Sequence, residues 1–373
     1  MINFFEALTI LLALIHFSYL LYLRNGLFAK NEINSNIFQK VSIVIPTRNE
    51  EANIANCIHS LLNQKYDSSN FDIIIVDDHS SDATCEIVKR FLPNEKIKLI
   101  ELNSPQINSS KINALTAGIK YGDAEIILTT DGDCIVPQNW IESHLQLYDQ
   151  QTALVTGATT FINPKNTFIN TIQSLEYAGH NSILGSAIGK NKIFTSNGSN
   201  LSFKKKVFEE VFGFDNIPSS ISGEDTFFAH KIYKTKKYKI KFLFSSESLV
   251  KTIPANNIIQ YLFQRARWVN QTSYFPIEIL PFLISTFLFY FCMLILSMIT
   301  LYDNSTIFVL AILFTCKILI DLFFLYPYLK KLLLTKLLKY FLMAEIIHIP
   351  ITVLSVFMGY FGSILWKGRT NKN

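Results

Sequence analysis

Asp131 and Asp133, separated by Gly132, are the residues of this 373-residue chain whose spacing most directly suggests chemistry. Two carboxylates in a glycine turn repel each other. A hard divalent cation relieves that repulsion and leaves coordination sites for phosphate oxygens. A second acidic pair, Glu224-Asp225, follows Gly223 and opens an apolar run with Phe227, Phe228 and Ile232. The pair can be read as first-turn acids favoured by the helix dipole, or as holding a general base for an acceptor hydroxyl. Further on, Arg265 and Arg267 lie in a stretch where Gln260, Gln264, Arg267 and Gln271 form a polar stripe opposite Ile258, Ile259, Leu262 and Phe263. Such arginines meet lipid phosphates or a departing diphosphate equally well. The small polar segment from Thr195 to Phe203 reads either as a surface loop or as a substrate-facing one.

These residues need a frame. Val41 to Ile45 is a short β-branched run ended by Pro46, followed by a helical stretch from Asn49 to about Gln64. Phe71 to Val76 is a second strand, Asp77 to Asp82 a turn, and Ala83 to Phe91 a helix. Ile97–Glu101 is a third strand, Lys111–Tyr121 a helix, and Ala124–Thr130 a fourth strand that ends on Asp131. Alternation of this kind implies an α/β fold, a mostly parallel sheet with helices on both faces. Ligands of such sheets bind beyond the carboxyl ends of the strands, where Pro46, Asp77, Asp78, Asp131 and Asp133 all fall. Asp82 is read as a helix cap. Asp77 and Asp78 each allow a capping or a binding role.

The remainder of the chain is unlike a soluble protein. The whole chain is 49% hydrophobic with 31 Phe and a mean hydropathy of +0.26. Residues 3–23, 280–301, 307–326 and 341–366 are each about the length that crosses 30 Å of hydrocarbon as a helix. The reading is therefore an N-terminal anchor (1–25), a catalytic domain (40–252), an amphipathic interfacial helix (253–276) and a C-terminal membrane region (280–366). The first segment lacks the basic start and small-residue cleavage site of a signal peptide. Arg24, Lys30 and Lys40, together with Lys330, Lys331, Lys336 and Lys339, place the domain and the 327–340 link in the cytoplasm. Glu345, His348 and Pro350 make the last segment a poor simple span, and the side of the tail (Lys367, Arg369, Lys372) stays open. Five unpaired cysteines argue against a disulfide framework or a zinc site. A net charge of +5 is too small and dispersed for nucleic acid. The glycosylation-type triplets at Asn108, Asn197, Asn200 and Asn270 fall on the cytoplasmic side and are read as unmodified.

In order along the chain, Val41 to Glu50, Val76-Asp77-Asp78, Lys111 with Ala114-Leu115 and Gly118, Asp131-Gly132-Asp133, Gly223-Glu224-Asp225 and Gln264-Arg265-Ala266-Arg267-Trp268 resemble glycosyltransferase family 2 in its membrane-embedded branch. The resemblance covers about residues 40–270. It implies a GT-A fold, a nucleotide-sugar donor, with a UDP-sugar expected, and Mg2+ or Mn2+. Pro46, Thr47, Glu50 and Asp77 or Asp78 would contact base and ribose, and Lys111 would lie near the nucleotide. Asp133 would ligate the metal and Asp131 would approach ribose or metal. Asp225 would be the base of an inverting displacement, and Gln264, Arg267 and Trp268 would close over diphosphate and acceptor. Thr116 stands where the family usually has Asn, a change expected to affect local capping more than chemistry.

Two enzyme readings follow. One is transfer of a single sugar to a lipid or lipid-linked acceptor, as in ceramide-glucosyltransferase-like relatives. The other is processive polysaccharide synthesis, as in cellulose, chitin or hyaluronan synthases. About four membrane segments leave few helices to line a polymer channel, which favours the first, although a homo-oligomer would supply a channel. A third reading, an inactive scaffold, sits badly with intact Asp131, Asp133, Asp225 and Arg267. A bacterial-type inner membrane is the expected location.

Overall fold

The computed structural model describes residues 2–34, 39–103, 110–162, 167–217, 223–362, 364–366 and 369–371. Asn108, Lys367 and Lys372 lie outside the described residues. The chain forms two compact units, one from residues 29–162 and 191–253, the other from 1–28, 163–190 and 254–373. Residues 163–190 thus leave the continuous span 40–252 that the sequence presents as one domain.

The first unit is built on seven strands: β1 (Val41–Thr47), β2 (Phe71–Asp77), β3 (Ile97–Glu101), β4 (Ile126–Thr129), β5 (Thr152–Gly157), β7 (Leu201–Lys204) and β8 (Lys239–Leu243); β6 (Thr159–Phe161) and β9 (Val250–Thr252) form a separate parallel pair. The strand order is β3-β2-β1-β4-β7-β5-β8. β1 lies parallel between β2 and β4, with Val41 opposite Phe71 on one side and Ile126 on the other. Burial on both faces explains the uninterrupted apolar runs: Val41, Ile43, Val44 and Ile45 are all fully buried. The helix Ser110–Tyr121 lies so close to β1 that a Cβ on Gly118 would come within 2.4 Å of Val44 Cγ1.

β7 is the exception to the parallel pattern. It runs antiparallel to both β4 and β5, with Thr129 opposite Leu201. The small polar segment is thus neither a surface loop nor a substrate-facing one throughout, because its end is a buried central strand. Asn197 and Asn200 are buried with it. Asn200 Oδ1 accepts from Trp140 Nε1 and His144 Nε2 (2.8 Å each), and its Nδ2 donates to Ala158 O (2.7 Å) and Ser248 O (3.0 Å). His144 Nδ1 lies 2.9 Å from Ser202 Oγ, which Tyr148 also meets. Burial lowers His144 to about 4, so its imidazole is neutral.

In the second unit, four helical segments are long and apolar enough to cross a membrane: Asn3–Phe28, Leu280–Thr300, Asn304–Lys331 and Thr335–Phe361. The protein is a membrane protein. Leu12, Phe17, Phe289, Met293, Leu296, Leu313, Ile349 and Val353 form their shared core. The last helix runs on through Pro350. The helix Phe168–Gly189 packs with these segments, and a Cβ on Gly26 would overlap Ser186 O.

Candidate active site

The site lies at the carboxyl end of β4. There Thr129 Oγ1 donates to Gly198 O and Thr130 Oγ1 to Ser199 O, both at 2.9 Å, clasping the turn before β7. That turn meets the start of the helix Glu224–Thr235, where Gly198 N–H donates to Asp225 Oδ2 at 2.5 Å. Lys111 Nζ sits 2.9 Å from both Asp131 Oδ1 and Glu224 Oε1. One ammonium therefore holds an acid of the first pair to an acid of the second. Pro46, Lys111, Thr130, Asp131, Glu224 and Asp225 line a concavity here.

The two acids of the second pair are unequal. Burial would raise the Glu224 carboxyl, but the Lys111 charge and hydrogen bond hold it below its ordinary value. Burial, reinforced by the neighbouring Glu224 charge, pushes Asp225 up to about 7. Asp225 is poised to exchange a proton near neutrality and Glu224 stays ionised.

Asp131, Asp133 and Cys134 bring potential ligand atoms within 4.8 Å of one another. The Cys134 thiol is raised well above its ordinary range by burial and by Asp133, so it remains protonated and hydrogen-bonds Asp133 Oδ1 at 3.5 Å. Thr252 Oγ1 donates to the same oxygen at 3.3 Å. What remains is a pair of oriented carboxylates, an oxygen donor set that fits Mg2+ or Mn2+.

Gly132 rests against the end of β1, where a Cβ would meet Thr47 Cγ2 at 3.1 Å and Glu50 Cγ at 3.2 Å. Thr47 and Glu50 are thereby brought beside the acidic turn. Glu50 Oε2 accepts from Asn53 Nδ2 (2.9 Å), and Asp78 lies 3.8 Å from the Arg48 guanidinium and 3.2 Å from His79. Asp77 accepts from both Ser80 N–H (2.9 Å) and Ser80 Oγ (2.5 Å), a turn-capping role. Asp82 caps as expected, accepting from Thr84 N–H and Glu51 N–H.

Gln264, Arg265, Arg267 and Trp268 lie on the helix Ile258–Asn270 of the membrane unit. Arg265 does not present a free guanidinium to a diphosphate. It is paired with Glu176 and reaches Thr352 and Ser355 hydroxyls at 3.3 Å. Trp268 stacks on Tyr177 and His180 at 5.8 and 5.6 Å. Glu176, Tyr177 and His180 all come from the helix Phe168–Gly189, whose mixed sequence gives no periodic signal pointing to these partners.

Residues 42–212 match the family model described as glycosyl transferase family 2. Over that stretch, a little under half of the chain, it is similar to family 2 glycosyltransferases. A probable glycosyltransferase of Bacillus subtilis is 27% identical over 248 residues, covering 65% of this chain and 57% of that protein. A poly-beta-1,6-N-acetyl-D-glucosamine synthase of Staphylococcus aureus is 28% identical over 236 residues, covering 61% and 54%. The alignments thus span little more than half the length of these curated relatives. Among solved structures, a mannosyltransferase from Pyrobaculum calidifontis in complex with GDP-Man and Mn2+ shares the fold, with a TM-score of 0.56 and 17% identity over 93% of this chain and 99% of that one. The domain that carries these motifs has the GT-A fold expected of them, and the described residues also include four helices long and apolar enough to cross a membrane.

Proposed function

We propose that the protein transfers one sugar from a nucleotide-sugar donor, with a UDP-sugar expected, to a hydroxyl of a lipid or lipid-linked acceptor on the cytoplasmic face of a bacterial inner membrane. The observation that carries this reading is the buried Asp225, held by Gly198 and raised to about 7 beside the Lys111-tethered Asp131. In the proposed step the acceptor O–H proton passes to Asp225 as that oxygen attacks the anomeric carbon. The bond from that carbon to the diphosphate oxygen breaks, and the nucleoside diphosphate leaves with inversion. Glu224 keeps Lys111 in place and does not act as the base. Asp133, with Asp131, would hold Mg2+ or Mn2+; a divalent cation there supplies charge stabilisation of the diphosphate. The Mn2+ in the archaeal structural relative supports this part of the reading.

Pro46, Thr47, Glu50 and Asp78 are proposed to face base and ribose, and Asp77 to shape their turn. Gln264, Arg267 and Trp268 are proposed for the diphosphate and acceptor. Arg265 is proposed to brace its helix through Glu176. Basic residues flanking the spans, Arg24 and Lys30 after the first and Lys330, Lys331, Lys336 and Lys339 between the last two, support the cytoplasmic orientation.

A second reading, polymer synthesis, is favoured by the likeness to the poly-beta-1,6-N-acetyl-D-glucosamine synthase of Staphylococcus aureus. Purified protein in lipid, supplied with UDP- and GDP-sugars and Mg2+ or Mn2+, tests both. A single-sugar glycolipid by mass analysis supports the first reading, and a ladder of products supports the second. No turnover of any nucleotide sugar defeats both.

A further inference from the structure

The membrane unit holds a second group of charges that glycosyl transfer does not use. Lys317 lies in the middle of the helix Ile307–Lys331 with its side chain fully buried. Its ammonium meets Asp321 Oδ2 at 2.8 Å, one turn along the same helix, and Glu345 from the helix Phe341–Phe361. Ionisable groups in a span are costly and tend to be paired or functional. Here the pairing is incomplete, because one ammonium faces two carboxylates.

Among the described residues no further basic side chain is paired with Asp321 or Glu345. Arg265 of the same unit is matched by Glu176. His348 sits 3.5 Å from Glu176 and packs its ring against Tyr290 at 5.2 Å. Tyr290 in turn lies under the Lys317 ammonium at 5.3 Å. Left fully ionised, the Lys317-Asp321-Glu345 group carries a net negative charge in a low-dielectric interior. It becomes neutral on binding one proton.

His16, on the first helix, is within electrostatic reach of Asp321 and Lys317 and only 2% exposed. The hydroxyl of Thr286 donates to Phe282 O at 2.8 Å, so the Thr286 oxygen accepts from His16 Nδ1–H at 3.0 Å. The His16 Nε2 lone pair is then left buried with no hydrogen-bond partner among the described residues. Its ring lies 5.6 Å from that of Tyr290, over which the Lys317 ammonium sits.

We propose that the membrane unit contains a proton-binding site, in which Asp321 and Glu345 share one exchangeable proton around Lys317. Binding converts one carboxylate to a carboxylic acid and leaves the other as the counter-ion of Lys317, and release is the reverse step.

The test is infrared spectroscopy of the full-length protein in lipid nanodiscs near neutral pH, reading the deuterium-sensitive stretch of protonated carboxyls. The expected result is a band that persists in Asp225→Asn, which removes the carboxyl of the catalytic site that burial raises to about 7. That band should vanish in Glu345→Gln and in Asp321→Asn, each of which leaves Lys317 matched by one carboxylate. Lys317→Met should roughly double it, provided circular dichroism shows the helices intact. Spectra of Glu345→Gln and Asp321→Asn identical to the parent protein would overturn the proposal. The readout is independent of sugar transfer.

Discussion

Gly198 N–H donates to Asp225 Oδ2 at 2.5 Å, and the same glycine is too close to that side chain to carry one of its own: a Cβ would lie 3.2 Å from Oδ2 and 3.3 Å from Asp225 Cβ. Gly198→Ala must therefore displace either the turn or the carboxylate. The expected result is a fall in kcat of at least about tenfold, as for a misplaced catalytic group, with KM for the nucleotide sugar little changed. An unchanged kcat would remove Asp225 from the reaction.

The pH dependence has a defined sign. Asp225 must be ionised to take a proton, so kcat should rise with pH through about 7 and then level off. Glu224 raises Asp225 and Lys111 lowers it. Glu224→Gln should therefore move the midpoint down, and Lys111→Met should move it up. Linkage runs the opposite way: Asp225 binds its proton more tightly folded than unfolded, so its contribution to stability declines as pH rises from the ordinary carboxylate range through about 7. Rate profiles of the three proteins check the ordering, and midpoints shifted in the same direction would contradict it.

The parallel half of the sheet was legible because β1, β2 and β4 are buried on both faces and so read as continuous apolar runs, β1 ended by Pro46 and the other two running into Asp77 and Asp131. β7 was not legible: Leu201-Ser202-Phe203-Lys204 is four residues long, flanked by Ser and Asn whose burial depends on partners such as Trp140 and His144, far away in sequence. For the same reason the residues alone left open which of Glu224 and Asp225 is the base, and only the family resemblance named Asp225. Only Lys111, brought in from another helix, separates them. Arg265 illustrates the limit of a stripe on one helix, since its partner Glu176 comes from a helix about ninety residues earlier that shows no matching stripe.

Thr252 touches the metal question without touching a substrate. Its hydroxyl donates to Asp133 Oδ1 at 3.3 Å, fixing the carboxylate proposed to hold the cation. Groups that orient metal ligands typically matter by about 10–100-fold in metal affinity. Thr252→Val should raise the Mn2+ concentration for half-maximal activity by about tenfold while leaving the rate at saturating Mn2+ within about twofold. Asp133→Ala should abolish Mn2+ activation outright. A Thr252→Val protein with an unaltered Mn2+ response would separate Asp133 from the metal.

Asn200 should matter for folding more than for chemistry. Its amide is fully buried and answers four partners at once, Trp140, His144, Ala158 and Ser248. Asn200→Leu removes all four bonds and leaves the Trp140 and His144 N–H groups buried without acceptors. At about 1–3 kcal/mol for each unsatisfied group, a loss of about 3 kcal/mol is expected. His144 adds a second constraint, because its imidazole stays neutral and must donate from Nε2 to Asn200 Oδ1. Asn200→Asp keeps that acceptor but loses the amide that serves Ala158 and Ser248, and buries a charge. It should therefore also destabilise, and less so as pH falls and the new carboxyl is protonated. Denaturant unfolding of the protein in detergent, followed by Trp140 fluorescence, checks both. Parent-like stability in Asn200→Leu would show that this network does not hold β7 in the sheet.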